Sequence, residues 1–520
     1  MITVRTKNGT LEGERKYGYS VFKGIPYAAA PVGAKRFAPA EPPESWNGVR
    51  DATRFGAPAI QLSTSNHITK PELLRISRED CLYANVSTPA PLVQDASGTH
   101  PDPSARLPVF LFLHGGGFET GGSNLPLYSG DAFVQKGIVF VSINYRMGVF
   151  GCLELEALET EHPSSGGYSI TDVKQGLEWI HENIEQFGGD PENVTLGGQS
   201  AGAGFTSMML QTDHAGRTFQ RCIMESGSVR GFAPKSKAGA GSVEMMLAQG
   251  RQFAAMCGAE DNKEGVELLR KAPAEELILR WYFDEAGKRM KYVSDPLMVG
   301  TVFKQDVLPD PRIQTAGKVD LMFGYNTDDG SMFAGLFADR KKYLDFVTET
   351  FPVHAEEIMT NYPADDRTAR SALGNLITLL SFHTPLIAYG DAMSAKGAKV
   401  YAYQFDYLTE KIREDGLGVR HIAELNFVFE KLLNLVGAED EKGKAVARLM
   451  NSAFSGFIRN GDPNAGMEEA GVNLKNGSWN PYNTQDRQIF RISRDSRSER
   501  VERLEEMMYF DRLLNEEFHT

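Results

Sequence analysis

One serine stands among glycines in the stretch VTLGGQSAGAG, residues 194–204. A serine hydroxyl attacks a carbonyl near neutral pH only when a base takes its proton, and the base in turn needs an acid to orient it. Val194, Thr195 and Leu196 read as a buried strand, and Ala201 to Leu210 are small and then apolar at helical spacing, so Ser200 falls at a strand-to-helix junction. Gly198-Gln199-Ser200-Ala201-Gly202 has the G-x-S-x-G form of a nucleophile elbow, whose sharp turn needs glycine two residues to either side. Phosphate binding, the other common use of clustered glycines, does not fit. No Gly-Lys-Ser/Thr closes a P-loop here, and no third glycine completes G-x-G-x-x-G from Gly202 or Gly204.

In such a fold the partners follow in the order serine, acid, histidine, each at the carboxyl end of a strand. Four histidines follow at a workable distance: His214, His354, His383 and His421. His214 is too close to the helix of the elbow itself, and His354 and His383 lie in helical, apolar surroundings that suit structural histidines. His421, in GLGVRHIAEL, follows a strand and a glycine-containing loop and is the expected base. For the acid, GYNTDDGSMF offers Asp328 and Asp329 at the end of a strand. Aspartates before a glycine also make turns and helix caps, and the residues alone leave the two open. HGGGF, 114–118, follows another buried strand, and its glycine N–H groups can face a developing oxyanion with no side chain in the way.

These residues need a scaffold of buried strands. LPVFLFLHGGGF (107–118) and GIVFVSINYRMGVFG (137–151) are apolar with little alternation, as strands covered on both faces are. A helix is expected over 171–187, then the elbow strand, then strands over 318–326 and 399–407. The pattern is α/β with a mostly parallel sheet covered by helices. The whole chain, 1–520, reads as one domain. Helical insertions at about 230–310 and 335–395 are expected to roof the site. The stretch from 90 to 106 reads as a surface loop, and the charged carboxyl-terminal run as a helix with Val501, Leu504, Met508 and Leu513 on one apolar stripe.

Composition bounds the rest. With 41% apolar and 24% charged residues the chain is globular, and a net charge of −13 opposes general affinity for nucleic acid or anionic membrane. Cys81, Cys152, Cys222 and Cys257 are scattered without metal-like spacing, and no metal or cofactor is expected. The amino terminus alternates like a strand and lacks the pattern of a secretory leader, and no run of about 18 apolar residues stands out. A cytoplasmic location is the expectation.

Over nearly its whole length the chain resembles the type-B carboxylesterase and cholinesterase-like family of α/β-hydrolases. The resemblance rests on FKGIPYAAAPVGAKRF (22–37), EDCLYANV (79–86), HGGGF, NYRMGVFG (144–151), FGGDPENVTLGGQSAGAG, ESGS (225–228) and FIRNGDPN (457–464). It implies the α/β-hydrolase fold with Ser200 as nucleophile, Asp329 as acid, His421 as base, and an oxyanion hole from the N–H groups of Gly116, Gly117 and Ala201. It also implies ion pairs Arg36–Glu79 and Arg146–Asp172, and support of the triad by Ser226.

Four positions depart from the family pattern. The acid is aspartate where the family mostly has glutamate. Gln199 stands where a glutamate is usual. Cys81 matches a half-cystine, but the partner position near Ala59 holds no cysteine. The segment before Cys81 that supplies the choline-binding tryptophan in cholinesterases has none, which removes the ring that recognises a quaternary ammonium. The expected function is hydrolysis of neutral, hydrophobic carboxylic esters through a serine acyl-enzyme, with a small-molecule ester as partner. The alternatives are hydrolysis of thioesters, carbamates or aryl amides by the same triad, and a non-catalytic binding relative.

Overall fold

The computed structural model describes residues 2–62, 70–96, 98–232, 243–284, 286–288, 290, 319–335, 338–414, 416, 418–432, 441–472 and 477–519. They gather into two compact units. The first takes the described residues of 1–130, 137–194 and 240–306, and the second those of 131–136, 195–239 and 307–520.

In the first unit the strands are β1 (Ile2–Arg5), β2 (Thr10–Lys16), β3 (Tyr19–Pro26), β4 (Val49–Asp51), β5 (Tyr83–Thr88), β6 (Leu92–Asp95), β7 (Gly98–Pro101), β8 (Leu107–Leu113) and β9 (Val139–Ile143). They pair in the order β1-β2-β3-β5-β9-β8, antiparallel as far as β9 and parallel between β9 and β8. Every residue of β9, and β8 from Val109 on, is buried, as expected of an apolar run without alternation. Strand β10 (Gly189–Gln199) carries the chain from the first unit into the second. There its last five residues pair in parallel with β11 (Arg221–Glu225). The order continues through β12 (Asp320–Asn326), β13 (Val400–Phe405) and β14 (Gln488–Ile492), all parallel, to an antiparallel edge strand β15 (Arg497–Arg500).

Three local expectations change. The stretch from 90 to 106 is not all loop, since β6 and β7 form an antiparallel hairpin within it; both strands are half exposed, so no apolar alternation marks them. The expected helix at 171–187 spans Tyr168–Asn183 and tightens into a 3-10 turn over Ile184–Phe187. The carboxyl-terminal helix runs Leu504–His519, behind β15. Its buried side is Met507, Phe510, Leu513 and Leu514, while Met508 is 44% exposed. The buried face is the one carrying Met507, Phe510 and Leu514, at i, i+3 and i+7, and it turns the adjacent Met508 outward.

The 230–310 region supplies helices Val243–Met256, Lys263–Lys271 and Ala274–Tyr282 to the first unit. They pack through Phe253, Leu269 and Trp281 into one apolar cluster with Phe150 and Leu155; the segment 291–318 lies outside the described residues. Most of 335–395 is helical in the second unit, ending in a run from Ala369 to Ala395 broken by a π-helical turn at Thr378–His383. By length and composition that run could cross a bilayer, contrary to the expectation of no such stretch. Yet 67% of its most apolar window is buried in the fold, as in the core helix of a globular unit.

Both ion pairs implied by the resemblance are formed in the first unit. Arg36 grips both oxygens of Glu79 at 2.5 and 2.7 Å, and its remaining amine donates to the carbonyls of Leu269 and Ala272. Arg146 meets Asp172 at 2.7 Å and also donates to the Ala38 carbonyl. Removing one member leaves the other charge largely buried and without its partner. Glu79→Ala is therefore expected to cost about 3–5 kcal/mol of stability, measured by chemical denaturation.

Candidate active site

The elbow is built where β10 runs into helix Ala201–Met209. Ser200 holds φ 56° and ψ −122°, a left-handed backbone that only a surrounding framework sustains in a non-glycine residue. That framework is visible: Ser200 N donates to the Glu225 carbonyl at 2.8 Å, and Gly204 N donates to the Ser200 carbonyl at 2.9 Å. Gly198 is needed for space, because a Cβ there would lie 2.4 Å from the backbone of Gly202.

Asp329 follows the end of β12 in a 3-10 turn and is fully buried. Its carboxylate accepts from His421 Nδ1 at 2.8 Å with one oxygen, and from Ser226 Oγ at 2.9 Å and Asn326 N at 2.8 Å with the other. Three hydrogen bonds satisfy this buried carboxyl group out of water. The pair left open by the sequence thus divides cleanly. Asp328 turns the other way, its N–H donating to the Val419 carbonyl and its carboxylate accepting from Val419 N, which brackets the loop that carries His421. Burial, with Asp406 and Asp329 nearby, pushes the Asp328 carboxyl above its usual range.

His421 is buried against the rings of Phe382 and Phe333, 4.8 and 5.2 Å away between centroids. The Gln199 side-chain amide donates to its Nε2 at 3.3 Å, so that Nδ1 carries the proton given to Asp329. This contact between the residue before Ser200 and the imidazole was not foreseen. Its only signal was the neutral residue at a position where the family carries an acid.

A second unforeseen feature is a set of buried acids beside Asp329 and His421. Asn326 Nδ2 hydrogen-bonds Glu424 Oε2, and Tyr403 donates to Glu225 at 3.5 Å. Burial, then the neighbouring Glu424, raises Glu225 well above the carboxylate range; burial, then Asp329, raises Glu424. Glu424 stands three residues beyond His421, in the turn that leads into helix Leu425–Val428.

The other candidates have structural work. His383 donates from Nε2 to the Asn326 carbonyl at 2.9 Å and stacks on Tyr325, and burial pushes it down to about 4. His214 is buried against Thr218, and His354 lies beside Glu357 and Glu516. Of the proposed oxyanion donors, Ala201 opens the elbow helix and is buried. In the first unit Gly116 and Gly117 take φ of 128° and 61°, and a Cβ on Gly116 would fall 1.9 Å from the Thr120 carbonyl oxygen, so only glycine fits. His114 anchors that loop, neutral and pushed down by burial to about 4, with Tyr145 donating to its carbonyl at 2.6 Å.

The sheet, with a nucleophile-elbow geometry at the end of its strand, defines an α/β-hydrolase fold. The carboxylesterase family model matches residues 1–510. The para-nitrobenzyl esterase of Bacillus subtilis is 32% identical over 475 residues, 88% of this chain and 90% of that one. A phenmedipham hydrolase of Pseudarthrobacter oxydans is 31% identical over 482 residues, again covering 88% and 90%. Among solved structures, a carboxylesterase of Geobacillus stearothermophilus superposes with a TM-score of 0.78 at 30% identity, covering 98% of this chain and 100% of that one. The chain belongs to the carboxylesterase family, and it is a carboxylic ester hydrolase.

The raised acids set a pH dependence. The folded chain holds protons on Glu225 and Glu424 that the unfolded chain releases above about pH 4.3, so stability falls as pH rises through that window. Glu424→Gln cannot ionise, and is expected to lose less stability than the wild-type chain between about pH 5 and about pH 8, read as the drop in Tm. Equal drops would show Glu424 already ionised in the folded chain at the lower pH.

Proposed function

We propose that the chain hydrolyses neutral, hydrophobic carboxylic esters through an acyl-enzyme on Ser200, with His421 as base and Asp329 as its orienting acid. The observation that carries this reading is the buried 2.8 Å hydrogen bond from His421 Nδ1 to Asp329. Gln199 ties that imidazole to the elbow on which Ser200 stands.

In this reading His421 Nε2 takes the Ser200 proton as Oγ bonds to the ester carbonyl carbon. Asp329 stabilises the imidazolium, and the backbone N–H groups of Gly116, Gly117 and Ala201 receive the oxyanion. Collapse breaks the ester C–O bond, and His421 hands its proton to the departing alcohol. Water then gives a proton to His421 and adds to the acyl carbonyl; a second collapse frees the acid and returns the proton to Ser200. As Nε2 accepts the proton, the Gln199 amide must let go of it, a rearrangement of one side chain.

Apolar substrates suit the rings of Phe333 and Phe382 packed on His421, and Gln199 brings no negative charge that would favour a cationic alcohol. None of the four cysteines forms a disulfide, in keeping with a reducing, cytoplasmic location.

A fluorophosphonate probe is expected to label Ser200, and Ser200→Ala to be folded, unlabelled and inactive toward p-nitrophenyl esters. Labelling that survives the substitution would sink the assignment. Asp329→Asn is expected to keep the fold and lower turnover by up to about 10⁴-fold, the cost of a wrong imidazole tautomer in such a triad. Asp328→Asn should cost little by comparison. The reverse ranking would make Asp328 the functional acid.

A further inference from the structure

A cavity of about 540 Å³ in the second unit plays no part in the chemistry above. Arg367 and Arg370 line it at the start of helix Ala369–Ile377, with Arg503 and the carboxylates of Asp328 and Glu502 also in its wall. The charges are unequally occupied. Arg503 is committed, gripping both oxygens of Glu506 at 2.8 Å and Asn375 at 2.6 Å. Glu502 is paired with Arg491 at 2.6 Å. Asp328 has one oxygen on Val419 N, and burial favours its protonated form. The carboxylate of Asp365, just outside, is turned onto Thr368, and that of Asp366 onto Arg340 N. The guanidinium groups of Arg367 and Arg370 have no ion-pair or hydrogen-bond partner among the described residues. Deeper in the wall are Tyr325 and His383, each with a buried polar atom, the hydroxyl and Nδ1, that has no hydrogen-bond partner among the described residues.

The same wall braces the acid loop. His383 donates to the Asn326 carbonyl, Gly330 N donates to Thr378 Oγ1 at 2.8 Å, and Asp328 is bonded both ways to Val419. His383, Thr378 and Asp328 all line the cavity. Their bonds fix residues on either side of Asp329 and the loop two residues before His421.

We propose that this cavity is a second ligand site, taking a small oxyanion, carboxylate or phosphate, on Arg367 and Arg370, and that its occupancy alters turnover through the acid loop. Two unpaired guanidiniums beside hydroxyl and amide groups offer the bidentate recognition that carboxylates and phosphates share. A ligand that favours one setting of the wall over another must shift the Asp329–His421 geometry by linkage. The binding half stands without the triad assignment; the coupling half rests on it.

The test uses inorganic phosphate and succinate as probes, at constant ionic strength set with sodium chloride, on the full chain and on Ser200→Ala. Either probe is expected to raise Tm saturably by at least about 1 °C in both proteins, and to change kcat for p-nitrophenyl acetate about fivefold without moving KM. Response to phosphate alone or succinate alone identifies the anion class. The double variant Arg367→Gln/Arg370→Gln should keep its basal activity and lose both effects. The site is overturned if neither probe shifts Tm saturably, or if the shift is unchanged in the double variant. A Tm shift with constant kcat in a chain whose Ser200 labels normally overturns the coupling. Should Ser200 fail to label, the Tm arm still decides the site while the triad reading falls separately.

Discussion

The hydrogen bond between Asp329 and His421 spans 92 positions of sequence inside a site from which water is excluded, and much of the second unit is arranged to permit it. A carboxylate without solvent either takes up a proton or is surrounded by donors. Here the donors come from three places: the imidazole, the hydroxyl of Ser226 after β11, and the backbone of Asn326 at the end of β12. Parallel pairing of β11, β12 and β13 in register brings those strand ends to one edge. Aspartate is shorter than the usual glutamate by one methylene, and the 3-10 turn over Asp329–Met332 sets its backbone where the short side chain still reaches the ring. The turn is itself pinned, by Gly330 N on Thr378.

The crowding of carboxyl groups around Asp329 has a consequence for its neighbours. Glu225 and Glu424 are both fully buried, and each has an oxygen with no partner among the described residues. Three adjacent buried charges of one sign would repel one another strongly at low dielectric. Both glutamates are displaced upward, by burial first and then by a neighbouring carboxylate, Glu424 for Glu225 and Asp329 for Glu424, so both favour their protonated forms. A protonated glutamic acid is also a donor, so the pair can change its hydrogen bonding without moving any backbone.

Much of this arrangement was legible in the residues, for reasons that differ from element to element. Strand β9, the buried run of β8 and Val194–Leu196 of β10 announce themselves because strands covered on both faces are mostly apolar, and the elbow because its turn tolerates so few residue types. His421 could be reached by strand order. What could not be read is what depends on tertiary register. Asp328 and Asp329 both precede Gly330 and look alike in sequence; only the pairing with Val419 and with His421 separates them. Gln199 looked like a lost charge and proves to be a hydrogen-bond donor to the His421 ring. Hairpin β6–β7 and strand β15 were hidden because short, half-exposed strands need no apolar pattern, and Met508 was misplaced because Met507 and Met508 are adjacent apolar residues and only packing decides which of them is buried.

The missing disulfide at Cys81 shows how the first unit manages without a covalent staple. Cys81 is buried, and burial pushes its thiol well above the ordinary range, which makes it inert toward exchange. The segment leading up to it is closed instead by hydrogen bonds: Ala59 bridges to Arg78, Arg78 N donates to the Pro58 carbonyl at 3.0 Å, and Gln61 N donates to Ser77 Oγ at 3.3 Å. The next residue, Glu79, is held by Arg36, whose other amine fastens onto the carboxyl end of helix Lys263–Lys271. That end carries the unsatisfied carbonyls and negative pole of the helix, so a cation there meets two needs with one side chain. A crosslink of this kind does not depend on oxidation. Gln61, at the start of the same segment, reaches on to Thr120 and Gly121, directly behind the glycines of the HGGGF loop. The order of a segment far from the triad in sequence is thereby imposed on the backbone that the proposed chemistry asks to stay still.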